Sequence, residues 1–104
     1  MSERARLPNR RASEIFGLTS MDMEFTAGIS RDADGNVAEL FLDNHKAGSA
    51  VGTLVRDAAI ILSFALQHGA DISAIRKALC RDSKGHALGP LGVALDALHG
   101  KGQP

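Results

Sequence analysis

From residue 48 to residue 69 the chain reads GSAVGTLVRDAAIILSFALQHG, and its apolar positions return every three to four residues. Val51, Leu54, Val55, Ala58, Ile61, Leu62, Ala65 and Leu66 share one stripe, the pattern of a helix with a buried face. Ser49 is placed to cap its start, and Gly69 to end it as the C′ residue. A helix of about 19 residues at 1.5 Å each is roughly 28 Å long, the width of a small domain. The opposite side begins polar, with Thr53, Arg56 and Asp57, and then turns apolar at Ile60 and Phe64. From Ala58 to Leu66 only Ser63 is polar, which predicts a half-helix covered from more than one side.

Upstream, the period changes to two. Met23, Phe25, Ala27 and Ile29 alternate with Glu24, Thr26, Gly28 and Ser30, the pattern of a half-buried strand. Val37 to Leu42 predicts a second strand, and the Asp32–Asn36 stretch between them a hairpin turn. A shorter strand over Ile15 to Thr19 can pair with the first across Ser20–Asp22. Asp32, Asp34, Asn36 and Asp43 put oxygens at alternate positions, as a calcium loop does. An EF-hand loop needs glycine where Val37 stands and a helix on each side, so the stretch is read as a turn.

Downstream of Gly69, Asp71 can cap a second helix from Ile72 to about Cys80, with Ile72, Ile75 and Leu79 inward. A polar loop, RDSKGHALG, follows, and Pro90 opens a third helix with Leu91, Leu95 and Leu98 inward, closed by Gly100. No internal repeat is evident. The predicted fold is α+β: a two- or three-stranded antiparallel meander, a long central helix, and two shorter helices packed on one face. A hairpin alone is marginal in water, so the sheet needs those helices. Residues 1–13 are expected to be a flexible basic arm, residues 14–100 one domain, and residues 101–104 a frayed tail.

The totals narrow the function more than they define it. At 104 residues, the chain suits one domain with a single core. Twelve basic and twelve acidic side chains give a formal net charge of zero, which argues against a dedicated nucleic-acid or membrane-surface binder. Cys80 is alone, so no intramolecular disulfide can form. The N-terminus has no apolar h-region, and the longest apolar run is far short of a membrane span. A cytoplasmic protein with no membrane partner is expected. Trp and Tyr are absent and Phe occurs four times, too few aromatic platforms for a single-strand binder.

Candidate chemistry is sparse. His45, Lys46, Gly48 and Ser49 precede the long helix, where unpaired N–H groups and a lysine can attract an anion or nucleotide; an ordinary serine cap explains the same residues. Arg4, Arg6, Arg10 and Arg11 could contact phosphate or simply be solvated. Cys80 lies beside Arg81 at a helix end, without an oriented base, and reads as a half-buried small residue. The four histidines lack metal-ligand spacing, so no metal site is expected. Arg56 and Asp57 could form a pair at an interface or face solvent. No nucleophile–base pair or carboxylate pair stands out, so no catalytic residue and no cofactor is assigned. The sheet edge and the apolar Ile60 and Phe64 face predict self-association as a dimer.

Over residues 22–99 the succession of motifs resembles the TSCPD domain family. That family includes the C-terminal domain of adenosylcobalamin-dependent (class II) ribonucleotide reductases and small free-standing proteins. The resemblance runs from MEFTAGISRDADGNVAELFLDN through the HKAGSA junction and LVRDAAIILSFALQHGADISAIRKAL to Cys80 and the GPLGVALDAL helix. Where the family carries Thr-Ser-Cys-Pro-Asp, this chain has Leu88-Gly89-Pro90-Leu91-Gly92, so no thiol or metal role transfers. The resemblance implies a stand-alone accessory or interaction module linked to deoxyribonucleotide synthesis, without catalysis of its own, with a ribonucleotide reductase subunit as a partner. Binding of a nucleotide or other anion at Lys46–Ser49 is the alternative, and nucleic-acid binding through the N-terminal arginines a weaker one.

Overall fold

A computed structural model describes residues 13–46 and 48–99. Ser13, expected to end the basic arm, instead opens the first strand; the rest of the predicted arm, with Arg4, Arg6, Arg10 and Arg11, and the predicted tail lie outside the described residues.

Three strands, β1 (Ser13–Ser20), β2 (Met23–Arg31) and β3 (Val37–Asp43), form an antiparallel sheet in the order β1-β2-β3. β1 is longer than its apolar pattern suggests. It is joined to β2 by a two-residue turn in which Met21 and Asp22 both take positive φ, 55° and 58°. That left-handed pair matches the twist of the hairpin and is uncommon without glycine.

Alternation sorts the sheet into two faces. Phe25, Ala27, Ile29, Leu40 and Leu42 are buried, while Ile15, Gly28 and Phe41, aligned across the three strands, lie on the outer face. Three helices follow: α1 (Ala50–Gln67), α2 (Ile72–Ala78) and α3 (Pro90–His99). α1 packs on β3 and α3 on β1, closing a core that includes Val55, Ala59, Leu62, Ala94, Leu95 and Leu98. Ser49 caps α1 by accepting from Gly52 N–H at 2.9 Å, and Gly69 follows its end at φ 93°. Asp71 caps α2 by accepting from Ser73 N–H at 2.9 Å. The α+β architecture is the predicted one.

The phase of α1 is not. Its buried line runs through Gly52, Val55, Ala59, Leu62, Ser63 and Gln67, and Leu54 and Ile61 point to solvent at 67% and 69% exposure. The helix is rotated by about a quarter turn from the expectation set by hydrophobicity alone. The cause is the outer edge of β3. Ser63 Oγ accepts from Leu40 N–H at 2.9 Å and lies 3.1 Å from the Leu40 carbonyl, and Gln67 Nε2 donates to the Ala38 carbonyl at 2.8 Å. Turning these polar side chains inward satisfies edge groups that burial would otherwise leave unpaired. Among the described residues α1 is covered on one side, not several.

Two turns share one design. Asp32 Oδ1 accepts from the Asp34 and Asn36 N–H groups, Gly35 sits at φ 86°, and Arg31 Nη1 donates to the Gly35 carbonyl. Fifty residues on, Asp82 Oδ1 accepts from the Lys84 and His86 N–H groups, Gly85 sits at φ 85°, and Arg81 Nη1 donates to the Gly85 carbonyl. The shared string is Arg-Asp-x-x-Gly, and both arginines pair across a bridge, Arg31 with Val37 and Arg81 with Ala87. Asp32 thus spends its carboxylate on backbone amides, as a turn requires.

Candidate functional site

The junction between β3 and α1 gathers the predicted anion-site residues. Asn44 is buried beneath it; its Oδ1 accepts from Lys46 N–H at 3.1 Å and its Nδ2 donates to Ser49 Oγ at 3.1 Å. Ser49 Oγ is therefore occupied on both sides, by Asn44 and by the Gly52 amide. His45 takes φ 64°, which swings its ring back over the sheet: Nε2 lies 2.6 Å from Thr26 Oγ1 and Nδ1 3.6 Å from Asp43 Oδ2. Arg56 Nη1 donates to Asp43 Oδ1 at 3.0 Å, so its partner is Asp43 and not Asp57. Gly48 reverses the chain at φ 74°, and Lys46 is exposed with no ion pair among the described residues. His45, Lys46, Gly48 and Ser49 are brought together, yet Ser49 is committed to its helix and Asp43 adds negative charge nearby.

Asn44, Thr26 and Gly52 carry this junction and were not singled out by the sequence. A Cβ at Gly52 would lie 2.7 Å from Asn44 Oδ1 and 2.8 Å from Ser49 Oγ. Only glycine lets the first turn of α1 close on the buried asparagine. The signal available in the sequence was a glycine inside a helical pattern.

A second polar cluster ties the helices together. Asp96 on α3 accepts from Arg76 Nη1 at 3.0 Å and from Arg81 Nη2 at 2.7 Å. These bonds, from Arg81 first and Arg76 next, hold its carboxyl down at about 2 against the cost of burial. Arg81 Nη2 also donates to the Arg76 carbonyl. The cluster thus fastens α2, the second turn and α3 together. Beside it, a gap of about 480 Å³ opens between α1, α2, α3 and the β2–β3 turn, lined in part by Val37, Leu66, Ile72 and Leu98. Its arginine, Arg76, is already engaged by Asp96.

Cys80 is exposed rather than half-buried, and its carbonyl accepts from Leu88 N–H at 3.0 Å. Among the described residues no group of three His, Cys, Asp or Glu side chains could hold a metal ion. α1 is long and apolar enough to cross a membrane by length and composition, contrary to the run-length expectation. Here its Ser63 and Gln67 bond to β3, and it serves as a core helix with an apolar outer face.

Among the described residues, that outer face leaves several large apolar side chains exposed. Leu54 and Ile61 stand furthest out, with the exposed side chains of Ile60 and Phe64 beside them. Leu54, Ile60, Ile61 and Phe64 share this exposed side of the helix with the charged Asp57.

No family model and no solved structure matches the chain. The chain is 34% identical over 67 residues to the vitamin B12-dependent ribonucleotide reductase of Agrobacterium fabrum (strain C58), an alignment covering 64% of this chain. It spans about 5% of the length of that relative. This chain is thus similar to a small part of a ribonucleotide reductase.

Proposed function

We propose that this domain is a non-catalytic interaction module of deoxyribonucleotide synthesis in the cytoplasm, akin to the TSCPD domain, and that it docks on a vitamin B12-dependent ribonucleotide reductase through the outer face of α1. The observation that carries this reading is the outward placement of Leu54 and Ile61 on the central helix. Covering what remains exposed of each side chain, Ile60 and Phe64 included, would contribute part of the about 1.5–3 kcal/mol that full burial gives, so the four together can anchor a contact. The choice of partner rests on the similarity to the reductase, in which the related stretch adjoins a far longer chain. A titration of the domain into such a reductase, repeated with Leu54→Glu/Ile61→Glu, tests it. Saturable binding lost in the variant supports the reading; no binding by the wild type overturns it.

Nucleotide or other anion binding at His45, Lys46, Gly48 and Ser49 is the second reading, favoured by the exposed Lys46 at the head of an 18-residue helix. Titration with nucleoside triphosphates that produces no heat removes it, and heat abolished by Lys46→Ala supports it.

A further inference from the structure

The two edges of the sheet are treated differently. On β3 the outward backbone groups are those of Ala38, Leu40 and Leu42, and α1 occupies the Ala38 carbonyl through Gln67 and both Leu40 groups through Ser63. The register then determines β1. Leu40 faces away from β2, so its neighbour Ile29 directs its backbone groups to Glu14, and Ile15, Gly17 and Thr19 direct theirs outward. Among the described residues nothing donates to or accepts from those outward groups.

We propose that β1 is the edge through which two copies of this chain pair, antiparallel about a twofold axis, to make one continuous six-stranded sheet. Natural edges are blunted by lysine, proline, a bulge, an inward charge or a covering element. β1 has no lysine or proline and no bulge over its eight residues, and its register with β2 is unbroken. Its one charge, Glu14, is held by Arg31 Nε at 2.7 Å. A second copy suits this edge better than a charged peptide does. The outward-facing side chains Ser13, Ile15, Gly17 and Thr19 are all neutral, so no like charges meet across the twofold axis. Backbone parity, with near-complete overlap of the two strands, sets Ile15 against Gly17 or Thr19 of the second copy. Ile15, now 78% exposed, would gain cover there, and the row it begins continues over Gly28 to the exposed Phe41. The pairing extends the self-association expected of this chain to a named strand, and it is independent of docking through α1.

The test is light scattering on the full chain from about 1 to about 500 µM, with residue-resolved amide exchange by NMR at both ends of that range. The expected result is a doubling of mass, with new protection at Ile15, Gly17 and Thr19 while Glu14, Phe16 and Leu18 are protected throughout. Ile15→Lys should hold the monomer mass at every concentration, and Leu54→Glu/Ile61→Glu should still dimerise. A monomer at all concentrations overturns the proposal. So does a dimer that survives Ile15→Lys unchanged, or one abolished by the α1 pair alone, which would move self-association to the helix face.

Discussion

The Ser63 hydroxyl occupies both outward backbone groups of Leu40, accepting from its N–H at 2.9 Å and lying 3.1 Å from its carbonyl. Its proton is shared with the Ala59 carbonyl, 2.9 Å away. This contact orients α1 on the sheet, caps the β3 edge at Leu40, and turns Leu54 and Ile61 outward. Replacing Ser63 by alanine leaves a buried amide and a buried carbonyl without partners. Ser63→Ala is expected to cost about 1–3 kcal/mol in urea unfolding and to raise amide exchange at Leu40.

Adjacent residues on α1 should respond in opposite ways. Leu62 is buried in the core and Ile61 is 69% exposed. Leu62→Ala is predicted to destabilise by about 2–5 kcal/mol, and Ile61→Ala to stay within about 0.5 kcal/mol of wild type. The reverse order in unfolding experiments would place the helix in the phase that hydrophobicity alone suggests.

Gly52→Ala should destabilise despite the better helix propensity of alanine, which alone would favour it by about 1 kcal/mol. The new methyl would meet Asn44 Oδ1 and Ser49 Oγ, which cannot withdraw without breaking the cap. A thermal midpoint below wild type is the expected outcome.

Stability should fall in acid through Asp96. Its carboxyl is lowered from 3.8 to about 2 in the folded chain, so the folded state holds the charged form more firmly than the unfolded state does. The associated stability is fully present above pH 4 and is lost as pH falls towards 2. Asp96→Asn should flatten that part of the profile and cost about 1–3 kcal/mol at neutral pH, by leaving Arg76 and Arg81 without their shared carboxylate.

The strands, the Asp32–Asn36 turn and all three helices were legible because period, capping residues and glycines agree at those places. The Met21–Asp22 turn was less so, since neither residue announces a positive φ. The phase of α1 was misread for a physical reason. Ser63 and Gln67 are polar, and only the neighbouring strand edge, 23 to 29 residues away in sequence, explains why they point inward. A separation of 15 residues hid Arg81 and Asp96 from each other. Asn44 and Gly52 looked like ordinary loop and helix residues, although the junction is built on them. The twin Arg-Asp-x-x-Gly turns lay open in the sequence, but one sits in a hairpin and the other in a loop, and their shared hydrogen bonding shows only in three dimensions.

The measurement that bears most directly on the central claim is calorimetric titration of this domain into a vitamin B12-dependent ribonucleotide reductase, wild type beside Leu54→Glu/Ile61→Glu. Circular dichroism of both proteins establishes that the fold is retained. The predicted result is saturable binding by the wild type, weakened about tenfold or more in the variant. No binding by the wild type, or equal binding by a folded variant, would contradict docking through the outer face of α1.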